Sequence, residues 1–314
     1  FAFLVKGADF FVEGSSSIAK KLKVPPIIIG LTIVAMGTSL PETAVSVTAS
    51  LVQNNELAVS NVVGSNIFNL MFVIGVCSIL TPIMVQKATV VRDIPLSLGC
   101  ALFLLVLGIS GLGDKAGMTL GHADGVIFLI VFAGYIFTMV RSAMKARAAG
   151  QKVEIEGVEE CDNMKELSYG KSILFLIVGA AAIAFGGDLT VDTASRIAIE
   201  LGMSQTLVGL TIVSIGTSLP ELVTSVVAAR KNEVDMALGN VIGSNIFNIL
   251  LILGVAAAIS PVTFIMENII DIIILIIMST VVWIFAWTSK KINRKEGIIM
   301  LLVYVVYMVY ICIR

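Results

Sequence analysis

Residues 30–76, GLTIVAMGTSLPETAVSVTASLVQNNELAVSNVVGSNIFNLMFVIGV, return at 209–255 as GLTIVSIGTSLPELVTSVVAARKNEVDMALGNVIGSNIFNILLILGV, with no gap and a constant offset of 179. About 25 of the 47 positions are identical. Weaker similarity reaches upstream, pairing Gly7 with Gly186, Asp9 with Asp188 and Val12 with Val191. Self-similarity on this scale makes the chain two copies of one structural unit. A doubled scaffold would keep its apolar and glycine packing positions best. Here polar residues return as well: Thr38, Ser39, Glu42, Asn61, Ser65, Asn66 and Asn69 recur as Thr217, Ser218, Glu221, Asn240, Ser244, Asn245 and Asn248.

The unit belongs in a bilayer. Hydrophobic residues make up 57% of the 314 and charged residues only 14%, with a mean hydropathy of +1.00; so little charge cannot cover a soluble surface. The net charge of -1 excludes the basic stripe that a nucleic-acid partner requires. Runs long enough to span, about 20 apolar residues each, fall at 1–12 (cut short), 24–52, 57–80, 94–112, 124–142, 170–187, 205–229, 235–259, 268–288 and 296–313. The expectation is an all-α polytopic membrane protein of ten transmembrane helices. Residues 1–145 form the first five-helix repeat, 146–169 an acidic linker and 170–314 the second repeat. Phe1–Phe11 reads as the second half of a span and not as a signal peptide, since no basic leader or small-residue cleavage site is present.

Basic residues divide 17 to 3 between the two sides, with Lys6 inside the first span. That bias puts the linker in the cytoplasm of a cell-membrane protein and both termini outside. An odd number of helices per repeat then turns one half over relative to the other. Inverted repeats with interrupted helices at matching places are the architecture of secondary transporters, whose site lies near the midplane.

Gly37-Thr38-Ser39-Leu40-Pro41-Glu42 sits in the middle of an apolar run, as does Gly216 to Glu221. Pro41 has no N–H for the carbonyl of Gly37 and disturbs the preceding turn. A freed carbonyl inside a membrane needs a partner from protein or a cavity, and a bound cation is one such partner. Glu42 and Glu221 carry the argument further. An ionisable group at mid-membrane costs at least about 2.5 kcal/mol, and no lysine or arginine lies nearby in either motif helix, so cations or protons must offset the two carboxylates. Helical spacing puts Ala35, Ser39 and Glu42 on one face, and likewise Ser214, Ser218 and Glu221. The following helices carry Asn61, Ser65 and Asn69, and Asn240, Ser244 and Asn248, each trio on one face. Asn61 and Asn240 suit inter-helix bonding as well as ion contact.

Together these parts make an all-oxygen site. Calcium takes about six to eight oxygens, carboxylates and carbonyls among them. The lone histidine, His122, and four scattered cysteines exclude imidazole- and thiolate-based metal sites. Two glutamates balance one calcium or two sodium ions, and exchange of three sodium ions for one calcium would move net charge. No enzyme is expected, because Ser39 and Glu42 lack the base and orienting partner of a nucleophilic centre; nor is a cofactor.

The twice-repeated GTSLPE and GSNIFN closely resemble the alpha repeats of the cation/calcium exchanger superfamily, above all its prokaryotic sodium/calcium exchangers. The resemblance covers nearly the whole chain. It implies a ten-helix inverted-repeat antiporter that alternates access as the first and sixth helices slide across a fixed core. By resemblance, calcium contacts map to the Glu42 and Glu221 carboxylates and the Thr38 and Thr217 carbonyls. Sodium contacts map to the Ala35 carbonyl, Ser39, Glu221 and Ser244 on one side. On the other they map to the Ser214 carbonyl, Ser218, Glu42 and Ser65, with Asn69 and Asn248 at the centre. Some prokaryotic members have aspartate where this chain has Asn248; the missing acid argues against potassium co-transport. Proton/calcium exchangers typically replace the Thr-Ser pair region with asparagine, whereas GTSLPE keeps hydroxyls suited to sodium. A proton/calcium antiporter and an uncoupled cation channel are the alternative readings. The acidic pairs Asp9/Glu13 and Asp188/Asp192 read as solvated helix ends. The acidic stretch 154–162 reads as a solvated linker, lacking the oxygen spacing of a calcium-binding loop.

Overall fold

The computed structural model describes residues 2–52, 55–110, 118–148, 167–202 and 214–313. Most of the expected linker, including the acidic stretch 154–162, and residues 205–213 of the seventh predicted span lie outside them. Helix occupies most of each of the ten predicted stretches where they are described, with breaks inside them at Ser39 and Ser218. The elements are α1 (Ala2–Leu22), α2 (Pro26–Thr38), α3 (Leu40–Leu51), α4 (Leu57–Leu80), α5 (Thr89–Ser110), α6 (His122–Ala148), α7 (Tyr169–Glu200), α8 (Ser214–Thr217), α9 (Leu219–Arg230), α10 (Val234–Ile259), α11 (Met266–Ser289) and α12 (Arg294–Ile313). Among the described residues, seven helices are long and apolar enough to cross a membrane, and an eighth crossing is formed if α2 and α3, bent by 50° at Ser39, count as one span.

The helix extends beyond the predicted apolar stretch 1–12: α1 runs unbroken to Leu22. Hydropathy falls at Glu13-Gly14-Ser15-Ser16-Ser17, but the three serines are buried. Ser17 Oγ accepts from Ser172 Oγ at 2.9 Å and from the Leu167 N–H at 3.1 Å, so hydrogen bonds to the start of α7 replace apolar contact. Farther along the same crossing, a Cβ on Gly7 would stand 2.9 Å from the Gly179 carbonyl, so the two backbones touch.

Four two-residue strands tie the connections between helices. Ile83–Met84 (β1) pairs antiparallel with Lys291–Ile292 (β4), and Thr119–Leu120 (β2) with Val262–Thr263 (β3). β1 and β3 follow corresponding helices of the two repeats, α4 and α10. Yet β1 and β2, and with them the two small sheets, are separated by the length of α5.

The core helices α4 and α10 are interrupted by matching π segments, Phe68–Val73 and Asn248–Ile252, and α2 by another at Gly30–Val34. A π turn leaves a carbonyl outside the ordinary ladder. In α2 the Leu31 carbonyl is taken by the Tyr135 hydroxyl of α6 at 2.9 Å, both groups buried. Replacing Tyr135 with phenylalanine leaves that carbonyl without its hydroxyl donor and should cost about 1–3 kcal/mol. A lower melting temperature in detergent, with the helical content kept, is the expected result.

The halves are not packed alike. α1 lies along α9 and is tied to its end by Lys231, whose Nζ is 3.3 Å from Asp9 Oδ1; Asp9 is thus paired and not merely solvated. Its counterpart α3 is far less covered: Leu40 is 50% exposed and Thr48 exposed, where Leu219 is half-buried and Val227 buried.

Candidate functional site

Both GTSLPE motifs break their helix at the serine. Ser39 and Ser218 have φ/ψ of -83°/13° and -93°/6°, and a new helix starts at the next residue with proline in its first turn. Proline suits that position, since the first-turn N–H has no intrahelical acceptor to lose. The break places Glu42 and Glu221 in the first turn of α3 and α9, where the N-terminal end of the helix dipole favours negative charge. Both glutamates are fully buried.

The hydroxyl partners cross between the repeats. Ser39 Oγ donates to Glu221 Oε1 at 2.8 Å, and Ser218 Oγ lies 3.0 Å from Glu42 Oε1. Ser244 Oγ is 3.4 Å from Glu221 Oε1, and Ser65 Oγ is 2.9 Å from Ser218 Oγ. Each carboxylate is therefore held by a serine of the opposite motif; Ser244 of α10 also reaches Glu221, whereas Ser65 of α4 bonds to Ser218, the serine that holds Glu42. Ser39, Ser218, Ser65 and Ser244 are all buried.

What each carboxylate leaves unused matters more. Glu42 Oε2 and Glu221 Oε2 have no hydrogen-bond partner, and neither do the Oδ1 atoms of Asn69 and Asn248. Buried polar atoms are nearly always paired, and these four, which are among the buried atoms without a partner in the described residues, stand at matching positions of the two repeats. All four accept, and two carry charge. None of the three ion pairs among the described residues involves Glu42 or Glu221. No group of three or more His, Cys, Asp or Glu side chains occurs among them either. The acidic groups here are thus the two carboxyls, and the hydroxyl and amide oxygens around them are neutral, a donor set of the kind hard cations accept.

Other predicted residues take different places. Thr38 Oγ1 is 3.0 Å from Asn240 Oδ1, and Thr217 Oγ1 is 3.4 Å from Asn61 Oδ1. Asn61 Nδ2 donates to Ser46 Oγ at 3.0 Å and Asn240 Nδ2 to Ser225 Oγ at 2.9 Å. For Asn61 and Asn240 the structure favours inter-helix bonding over ion contact. The Ala35 carbonyl accepts the Ser39 N–H at 3.0 Å and lies 3.3 Å from Thr38 Oγ1. Ser214 opens α8, and its side chain lies outside the described residues. Sequence reasoning missed Ser46 and Ser225 as partners, although their recurrence at the same offset was the available signal.

Comparison with known proteins gives one answer. The family model described as sodium/calcium exchanger protein matches residues 1–141 and 171–313. The chain is 38% identical to the putative antiporter CaxA of Alkalimonas amylolytica, over 97% of this chain and 93% of that one. It is 35% identical to the sodium/calcium exchanger MaX1 of Methanosarcina acetivorans, over 98% and 95%. Among solved structures it is similar to the sodium-calcium exchanger NCX_Mj soaked with sodium and calcium, with a TM-score of 0.82 and 34% identity over 98% of this chain and 94% of that one.

Proposed function

The chain belongs to the sodium/calcium exchanger protein family, and from that premise we propose that the four orphan oxygens of Glu42, Glu221, Asn69 and Asn248 are where it binds the ions it exchanges. It is a multi-pass membrane antiporter of sodium and calcium, not an enzyme, and it works without a cofactor. One observation carries the site: two buried carboxylates, each with one oxygen free and no basic side chain paired to either. Calcium is bound by both Oε2 atoms and the Thr38 and Thr217 carbonyls, with the Asn69 and Asn248 oxygens at the centre. Sodium is bound on either side, by Ser39, Ser244, Glu221 and the Ala35 carbonyl, and by Ser218, Ser65, Glu42 and the Ser214 carbonyl. Because the carboxylates are shared by both ion sets, sodium and calcium compete for the same charge, and that competition couples their movements.

The reading extends to the whole molecule. Ten crossings in two inverted five-helix repeats, 1–145 and 170–314, are supported by the strand pairing, which puts equivalent connections at opposite ends of α5. Alternating access is supported by the unequal cover of α3 and α9. The basic-residue bias supports a cytoplasmic linker at 146–169 and both termini outside the cell membrane.

Calcium-45 uptake into sodium-loaded proteoliposomes, against choline-loaded and pH-jump controls, tests the function. Uptake that requires internal sodium is the expected result; uptake that follows only the pH gradient would move the assignment to proton exchange, and current without coupling to a channel. Ser39→Ala removes a hydrogen bond to a charged acceptor, about 1.5 kcal/mol, and should raise half-saturating sodium roughly tenfold. Unchanged sodium dependence would take Ser39 out of the site.

A further inference from the structure

Asn66 and Asn245 touch neither carboxylate, yet both are buried at the centre of the molecule. Asn66 Nδ2 donates to the main-chain carbonyl of Asn245 at 3.2 Å, and Asn245 Nδ2 donates to the carbonyl of Asn66 at 3.2 Å. A carbonyl only accepts, so these two bonds decide which end of each amide is nitrogen. Each Oδ1 then faces the other way and takes a donor there. Asn245 Oδ1 accepts from Asn69 Nδ2 at 3.2 Å, and Asn66 Oδ1 accepts from Asn248 Nδ2 at 3.0 Å. With their nitrogen ends engaged, Asn69 and Asn248 are left with Oδ1 free, fully buried and without a partner. Asn69 lies one turn beyond Ser65, which bonds to the serine holding Glu42, and Asn248 one turn beyond Ser244, which stands 3.4 Å from Glu221 Oε1.

We infer that Asn66 and Asn245 are positioning residues that make Asn248 and Asn69 present an oxygen, rather than an NH2 group, to the transported cation. The inference rests on the ion-binding reading above. An amide turned the other way would aim N–H donors at a positive ion, so the orienting bonds decide whether these two side chains attract or repel it. The chain of constraint starts from two main-chain carbonyls beside the π segments of α4 and α10. Partners that orient ligands typically matter about 10–100-fold in metal affinity.

The test is equilibrium calcium-45 binding to the purified full chain in detergent, alongside sodium-driven uptake in proteoliposomes. Asn66→Leu should weaken calcium binding about tenfold. In an Asn248→Asp background the same substitution should have no effect on Kd, because a carboxylate offers oxygen on both sides and needs no orientation. The mirrored set, Asn245→Leu with and without Asn69→Asp, repeats the test should one variant fail to fold. An equal loss from Asn66→Leu in both backgrounds would reduce the asparagine to packing and overturn the inference, as would an unchanged Kd. Wild-type protein that binds calcium but moves none against sodium would sink the exchanger reading and leave the orienting role standing.

Discussion

Glu221→Gln and Glu42→Gln should each abolish sodium-driven calcium uptake while leaving a folded protein. Glutamine keeps an acceptor for the hydroxyls that hold Oε1, Ser39 and Ser244 on Glu221 and Ser218 on Glu42. It puts an amide nitrogen where the orphan Oε2 stands. The fold therefore loses little, and the ion loses one of two negative charges and meets a donor instead. Removing one partner of a buried charge pair costs about 3–5 kcal/mol, or roughly two to four decades in affinity. Calcium-45 uptake and thermal unfolding in detergent, measured together, check both halves of this expectation. A variant that melts normally and still exchanges at the wild-type rate would remove that carboxylate from the site.

Gly239→Val should damage the fold itself. A Cβ on Gly239 would stand 2.6 Å from the Ile27 carbonyl, and one on Gly30 would stand 2.6 Å from the Met236 carbonyl, so α2 and α10 cross backbone to backbone. Neither obstacle is a side chain that can turn aside. The helices must separate, at an overpacking cost of about 1–3 kcal/mol or more. Because α2 leads into Ser39 and α10 carries Ser244 and Asn248, exchange should fall with stability. Gly134→Ala is the control: nothing lies near its Cβ position, and the helix should be unchanged or slightly steadier. Equal melting temperatures for Gly239→Val and the wild type would show that the crossing gives way.

The carboxylates and serines were legible because their chemistry conflicts with their surroundings: a glutamate inside an apolar run, repeated at the same offset, has few explanations. Their crossing between the halves was not legible from spacing, which reports neighbours on one helix and nothing about which helix faces it; only the resemblance carried that pairing. The π segments were hidden for another reason. One extra residue in a helical turn changes which carbonyl is free without changing hydropathy. The full length of α1 was not legible because polar residues end its apolar stretch, whereas Ser17 is buried by bonding to Leu167 and Ser172. Asn66 and Asn245 stood out only by recurrence. Their role depends on which end of an amide is nitrogen, and no pattern of residue types encodes that.

The crossed hydrogen bonds have an ancestral consequence. Ser39 of one repeat holds Glu221 of the other, and Ser218 holds Glu42, so neither half contains a complete copy of the site. A single repeat, made as a separate chain, would own a carboxylate and a serine that cannot serve each other. On the inverted-repeat reading proposed above, binding an ion would require it to pair with a second copy turned over in the bilayer, and so to insert in both directions. On the same reading, carrying both repeats in one chain, 179 residues apart, removes that need for dual insertion. Each half was then free to drift in its loops and outer faces, while the residues that reach across the centre stayed bound to their opposite numbers.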